Sequence, residues 1–211
     1  MLKVEILGML FGFFVAIIPH EVAHAWVAYR LGDPTAKQAH RLTLNPLAHV
    51  DLIGTVLLPL FLMLMNSRVL FGWAKPVPFN PAYFKDQKTG IALVGLAGPA
   101  TNILLAVLFA MGIRFGHEYT GNTGLTILIY ACLTNLFLGL FNLVPIPPLD
   151  GSRILVGALP DSVIRPYMRL EPFGFIIIFA MLNFGLLNFI SVVAVEAFGQ
   201  LVGSNALNLP P

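Results

Sequence analysis

Five apolar blocks, separated by proline- and glycine-rich stretches, decide most of what this chain can become. They run from about Val4 to Leu31, Leu52 to Met65, Ile91 to Phe115, Leu125 to Val144 and Phe173 to Val202. About 20 apolar residues of helix cross the hydrocarbon core of a bilayer. Four blocks reach that length; the second is short and broken by Pro59. The chain is 57% hydrophobic and 10% charged, against about 25% charged in soluble domains. These features predict an all-α polytopic membrane protein. Its helical bundle carries a re-entrant or extended hairpin between the first and third blocks. Residues 1–211 read as one membrane-embedded domain, with a core over about 4–159 and a C-terminal helix or tight helix pair over about 173–203.

The same composition excludes several classes. No basic run marks a nucleic-acid surface. The single cysteine, Cys132, supports neither a disulfide framework nor a cysteine metal site within the chain. The first block is too long for a signal peptide and lacks a small-residue cleavage site. No internal repeat or low-complexity tail is visible.

Charge tests the topology. If every block crosses once and the N-terminus is inside, eight Lys/Arg lie inside and four outside. If the second block returns to the side it left and the N-terminus is outside, ten lie inside and only Lys3 and Arg114 outside. The positive-inside rule favours the second arrangement. A re-entrant segment requires cover from protein or a wet cavity.

Within the first block stands the segment "HEVAH", His20 to His24. On a helix His20 and His24 are one turn apart and share a face. Two imidazoles at that spacing can bind one Zn²⁺, and Glu21 can reach a water on the metal. The plain alternative is three polar side chains hydrogen-bonded within a bundle. Near the bilayer centre each ionisable group costs about 2.5–3.5 kcal/mol, so three together call for a compensating role. Pro19 frees a carbonyl, either bending the helix or admitting water.

A catalytic zinc site takes a third protein ligand and keeps one position open. The candidates are Asp150, His49, Asp51, His40, His117 and Glu196. Asp150 is favoured because the three prolines of "NLVPIPP" forbid a continuous helix and let the chain fold back, with Gly151 allowing a sharp turn. The alternative is an N-cap for a short helix over Ser152–Leu159. In the ten-to-two arrangement the first and fourth blocks end on one side. His24 then lies roughly 10 Å along the axis from Leu31, so both histidines can meet Asp150 near the cytoplasmic side.

These residues resemble the site-2 protease family of intramembrane zinc metalloproteases. "HEVAH" resembles its zinc-binding helix and "NLVPIPPLDG" its second signature. "GLAGPATN" resembles the Gly-Pro segment before a core helix. "RLTLNPLAHVDLIGTVLLP" and "GWAKPVPFNP" resemble parts of the compact members without PDZ or CBS domains. The resemblance covers about Phe14 to Pro172. It implies cleavage of peptide bonds in or near transmembrane segments of other membrane proteins. Carried over, His20, His24 and Asp150 are ligands of one Zn²⁺ per chain, Glu21 is the catalytic base, and Asn142 lies near the active site. Compact members often have Asp-Pro where this chain has Asp51-Leu52, and glycine where it has His40. No regulatory domain fits the remaining length, so a regulator is expected on a separate chain.

The expected mechanism has Glu21 taking a proton from the attacking water and giving it to the leaving amine, with Asn142 as an oxyanion donor. A substrate helix must unwind first. "KPVPFNP", Lys75 to Pro81, cannot be helical; strand addition there, with Val77 and Phe79 as contacts, stands beside a plain structural loop. Asn102 either bonds to the site or bridges two helices. His49 with Asp51 is an accessory metal or pH-sensitive pair, or His49 is an interfacial loop histidine, and Glu196 enters a helix interface or lies near the far surface. The rival functions are a metal transporter or channel and an inactive membrane scaffold. The partners expected are a transmembrane protein substrate and the lipid bilayer, in a prokaryotic cell membrane.

Overall fold

Among the described residues, three helices are long and apolar enough to cross a membrane. The first, α1, covers Leu2–Arg30 and stays helical across Pro19. A helical path over Gln87–Asn142 is broken at Gly121, whose φ of 61° and ψ of 170° lie outside the helical region. The break yields α3 (Gln87–Gly116) and α4 (Thr120–Asn142). Between α1 and α3 lie a short α2 (Thr35–Gln38), a 3₁₀ turn at Pro46–His49, a wide helical turn at Leu52–Leu57 and an extended run over 74–80. After α4 come α5 (Asp150–Ala158), α6 (Asp161–Met168), α7 (Gly174–Asn183) and α8 (Leu186–Val202). The computed structural model describes residues 2–57, 60–61, 64–65 and 74–203, excluding the side chains of residues 2–3, 56, 117–119, 175 and 182. No strand occurs among the described residues.

Helix directions follow from the contacts. His24 of α1 bonds to Val94 of α3 and His20 to Asn102, so the two helices run antiparallel. Gly8 and Gly12 pack on Tyr130 and on Tyr130 with Thr134, so α1 and α4 run parallel. The ends of α1 and α4 therefore emerge together, as the charge count favours. Segment 31–86 leaves and re-enters the same end of the bundle and makes no net crossing. Its middle is closed by Lys75 N–H donating to His49 O at 2.9 Å. Pro59 and Arg68 lie outside the described residues, as do other parts of the hairpin.

Asp86 starts α3 by accepting from the amides of Lys88 and Thr89 and from the Thr89 hydroxyl. The Thr89 bonds hold its carboxyl below the usual carboxylate value. Away from the site, Ala106, Ala110 and Ile113 of α3, Cys132 and Leu136 of α4, and Ala194 and Val202 of α8 form an apolar core. Small residues allow this close helix approach.

The last block, expected as one helix or a helix pair, forms the two helices α7 and α8, divided at Gly185, whose φ of 92° favours glycine. The pair starts with Gly174 against Pro147, at the end where α4 emerges, and finishes with Gly203 beside Arg114 at the far end. Length requires both helices: α7 has only 10 residues, about 15 Å of helix, too short to cross alone.

Candidate metal centre

Asp150 is the first residue of α5, and Leu149 occupies the boundary position without a side-chain cap. The capping alternative for Asp150 is thereby removed. Its carboxylate turns toward α1. Asp150 Oδ2 lies 3.0 Å from His20 Nε2 and 3.1 Å from His24 Nε2. The two Nε2 atoms are 3.0 Å apart. All three residues are buried, at 6%, 5% and 4% exposure for His20, His24 and Asp150.

The protons can be placed from the surrounding carbonyls. Asn135 Nδ2 donates to Ala131 O, which leaves Asn135 Oδ1 to accept from Asn102 Nδ2. Asn102 Nδ2 also donates to Ala16 O, so its Oδ1 accepts from His20 Nδ1 at 2.7 Å. His24 Nδ1 donates to Val94 O at 2.6 Å. With both Nδ1 atoms protonated, each neutral imidazole presents a lone pair at Nε2. Asp150 Oδ2 is a buried oxygen with no hydrogen-bond partner among the described residues. Three lone-pair atoms thus face one another with no proton assigned between them. A shared cation resolves that conflict. Zinc bonds of about 2.0–2.2 Å place tetrahedral ligands roughly 3.3–3.6 Å apart, close to the spacing here. The donor set of two imidazoles and one carboxylate suits a catalytic zinc site with an open position.

Neighbours hold this geometry. Arg153 Nη1 lies 3.1 Å from Asp150 Oδ1, leaving Oδ2 toward the histidines, and its guanidinium sits 5.2 Å from the centre of the Phe79 ring. Gly98 of α3 faces the imidazoles. A Cβ there would lie 2.5 Å from both His20 Cε1 and His24 Nε2, so only glycine lets α3 approach so closely.

Glu21 is beside the ligands, and its Oε2 accepts from Val77 N–H at 3.1 Å. The extended segment is tied at two other points. Lys75 N–H bonds to His49 O, and Asn80 N–H bonds to Asp33 Oδ2 at 2.6 Å. Proline at 76, 78 and 81 supplies no N–H. The expected strand edge is therefore largely consumed inside the protein. Val77 is buried, and Phe79 is half-buried between Arg153 and Phe84.

Asn142 donates through Nδ2 to Leu138 O on its own helix, at 3.0 Å. Asn102 does both things considered for it: it bonds to His20 and bridges α1 to α4. Asp51 caps the turn at Leu52–Leu57 through the amides of Ile53 and Gly54. His40 is exposed with φ 54°, a left-handed position where glycine is unstrained. Leu52 opens a helical turn, where proline is favoured. Both departures from the compact pattern thus fall where the replaced residue would suit the backbone. Glu196 is exposed on α8, and the His117 side chain lies outside the described residues.

Sequence reasoning missed Asn135, Arg153 and the Val94 carbonyl. Asn135 carried the same signal as Asn102, a polar side chain inside a span. Arg153 lies one helical turn after Asp150. The Val94 carbonyl carries no sequence signal.

Comparisons with known proteins agree with this chemistry. The model of peptidase family M50 matches residues 117–185. The chain is 41% identical over 170 residues to "Putative zinc metalloprotease YwhC" of Bacillus subtilis, covering 77% of this chain and 74% of that protein. It is 29% identical over 175 residues to "Putative zinc metalloprotease Rip2" of Mycolicibacterium smegmatis, covering 81% and 64%. To "Zinc metalloprotease MJ0392" of Methanocaldococcus jannaschii it is 27% identical over 142 residues, covering 67% and 31%. No solved structure matches. With three apolar spans and a buried His-His-Asp cluster suited to zinc, the chain belongs to peptidase family M50, the site-2 protease family.

Proposed function

We propose that this chain hydrolyses peptide bonds in or near transmembrane segments of other membrane proteins, acting as one membrane-embedded protease domain. The observation that carries the reading is the convergence of His20 Nε2, His24 Nε2 and Asp150 Oδ2 beside Glu21, within a bundle of apolar spans. Zinc held by these atoms would supply Lewis acidity to a water and to the scissile carbonyl. Glu21, steadied at Oε2 by Val77 N–H, uses Oε1 to take a proton from that water and return it to the leaving amine. Peptide and water give one new carboxylate and one new amine. Asn142, one amide hydrogen of which bonds to Leu138 O, offers its second as the oxyanion donor. Phe79, which stays partly exposed, is the contact this segment offers to substrate.

The positive-inside rule supports a cytoplasmic position for the site. Arg30, Lys75, Lys88 and Arg153 belong to the end where α1 and α4 emerge, and Arg114 to the other. The bacterial and archaeal relatives favour a prokaryotic cell membrane as its location.

The test is zinc quantitation together with cleavage of a synthetic peptide in vesicles. The peptide carries about 20 apolar residues broken at its centre by Asn-Pro. Wild type is expected to hold one zinc and cleave; Glu21→Gln is expected to hold zinc and not cleave. Metal flux without cleavage would indicate a transporter, and zinc without either activity a scaffold.

A further inference from the structure

An open hollow of about 660 Å³ lies on the segment that follows α1, within the size range of small-ligand sites. Its polar lining is Lys37, His40, Thr43 and Asn45, and its apolar lining includes Leu42 and Leu47. Bonds within the loop set its shape. Arg41 donates to Ala48 O and ties the two ends of the loop together. His49 Nε2 donates to Thr43 O at 2.8 Å. Asn45 Oδ1 accepts from Leu47 N–H at 3.1 Å, which leaves the Asn45 amide nitrogen to donate. Lys37 Nζ donates to the Tyr29 hydroxyl at 3.1 Å, using one of three donors. Among the described residues no carboxylate lines the hollow. A cationic, donor-rich wall is the chemistry that receives an anion.

Charge on the wider surface agrees. Arg30, Lys37 and Arg41 form no ion pair with a carboxylate among the described residues. The single acid of segment 30–50, Asp33, is fully buried and is spent on the amides of Thr35 and Asn80. It therefore leaves the neighbouring cations without a counter-ion.

Position decides which anion. Trp26 and Tyr29 are exposed near the end of α1, with Arg30 5.5 Å from the centre of the Trp26 ring and Lys37 4.8 Å from that of Tyr29. Exposed Trp and Tyr beside cations mark headgroup depth at the end of a span. Leu44 and Leu47, 65% and 80% exposed, stand on the same loop. A free inorganic anion makes no use of exposed leucines beside its cations. A phospholipid offers both a phosphate and an apolar chain. The positive-inside rule turns this end toward the cytoplasmic leaflet, where anionic lipids attract basic segments next to a span.

We propose that the hollow beside Lys37, His40 and Asn45 binds the phosphate headgroup of an anionic phospholipid, with Leu47 against the apolar part of the same molecule. This assignment is independent of the protease reading.

The test titrates the purified protein in detergent with phosphatidylglycerol and, in parallel, with phosphatidylcholine, and counts retained lipid by native mass spectrometry. Wild type is expected to keep one phosphatidylglycerol per chain and to prefer it to phosphatidylcholine about tenfold or more. Lys37→Glu is expected to abolish that preference. Lys85→Glu makes the same charge change at another exposed lysine of this end and is expected to keep it. Equal losses in the two variants would overturn the proposal, because diffuse surface charge would then account for the binding.

Leu47→Asp is expected to weaken phosphatidylglycerol retention as well. Full retention in either Lys37→Glu or Leu47→Asp would overturn the site. Both replaced side chains are exposed, and unchanged helical circular dichroism checks that each variant is folded. Inorganic phosphate is expected not to displace the lipid; displacement would overturn the lipid assignment in favour of a free anion.

Discussion

The backbone amide of Val77 donates to the carboxylate of Glu21 at 3.1 Å, across 56 residues of sequence. The extended segment thus orients the residue assigned as base, and its inward N–H is not free for substrate. Val77→Pro removes this donor in a stretch already extended. A hydrogen bond to a charged group is worth about 1.5–3 kcal/mol. The expected result is a kcat at least about tenfold lower with zinc still at one per chain. Steady-state kinetics beside metal analysis checks it, and an unchanged kcat would remove the amide from the mechanism.

Asn102 connects His20 Nδ1 to Ala16 O and Asn135. Asn102→Leu leaves a buried imidazole N–H without a partner and frees the ring to turn. Loss of such an orienting partner typically weakens metal binding about 10–100-fold. Competition against a zinc chelator measures it. Asn135→Leu, one bond further out, is expected to weaken zinc less.

Gly98→Ala places a methyl 2.5 Å from His20 and His24. Either α3 withdraws or the imidazoles tilt, and both disperse the ligands. The variant is expected to purify with far less than one zinc per chain and no cleavage. Full zinc occupancy would show that α3 tolerates the shift.

His40 holds a left-handed backbone conformation at φ 54°. That costs an L-residue roughly 1–2 kcal/mol, less for histidine, which is enriched there. His40→Gly is expected to stabilise the protein by about 1 kcal/mol or less, read as a higher unfolding midpoint in detergent, with cleavage unchanged.

The two histidines were legible as a pair because a helix fixes what four residues of separation means. Asp150 was legible as a candidate because its prolines break a span that composition says must stay helical in lipid. Asn142 illustrates the opposite case. Its place near the site came from resemblance, while its amide direction depends on a competing carbonyl, Leu138 O, one turn away on its own helix. His49 read as an ordinary loop residue, because nothing local shows that Thr43 O takes one nitrogen and leaves the other unpaired.

Apolar block length and helical period, both properties of short stretches, determined by themselves the membrane class, the spans and the pairing of His20 with His24. Tertiary structure decided which acid completes the cluster, which nitrogens carry protons, and that Val77, Arg153 and Gly98 shape the site. Those outcomes rest on contacts between helices far apart in the chain, such as His20 with Asn102 across 82 residues. Their partners are set by how α1, α3, α4 and α5 pack, which no local spacing encodes.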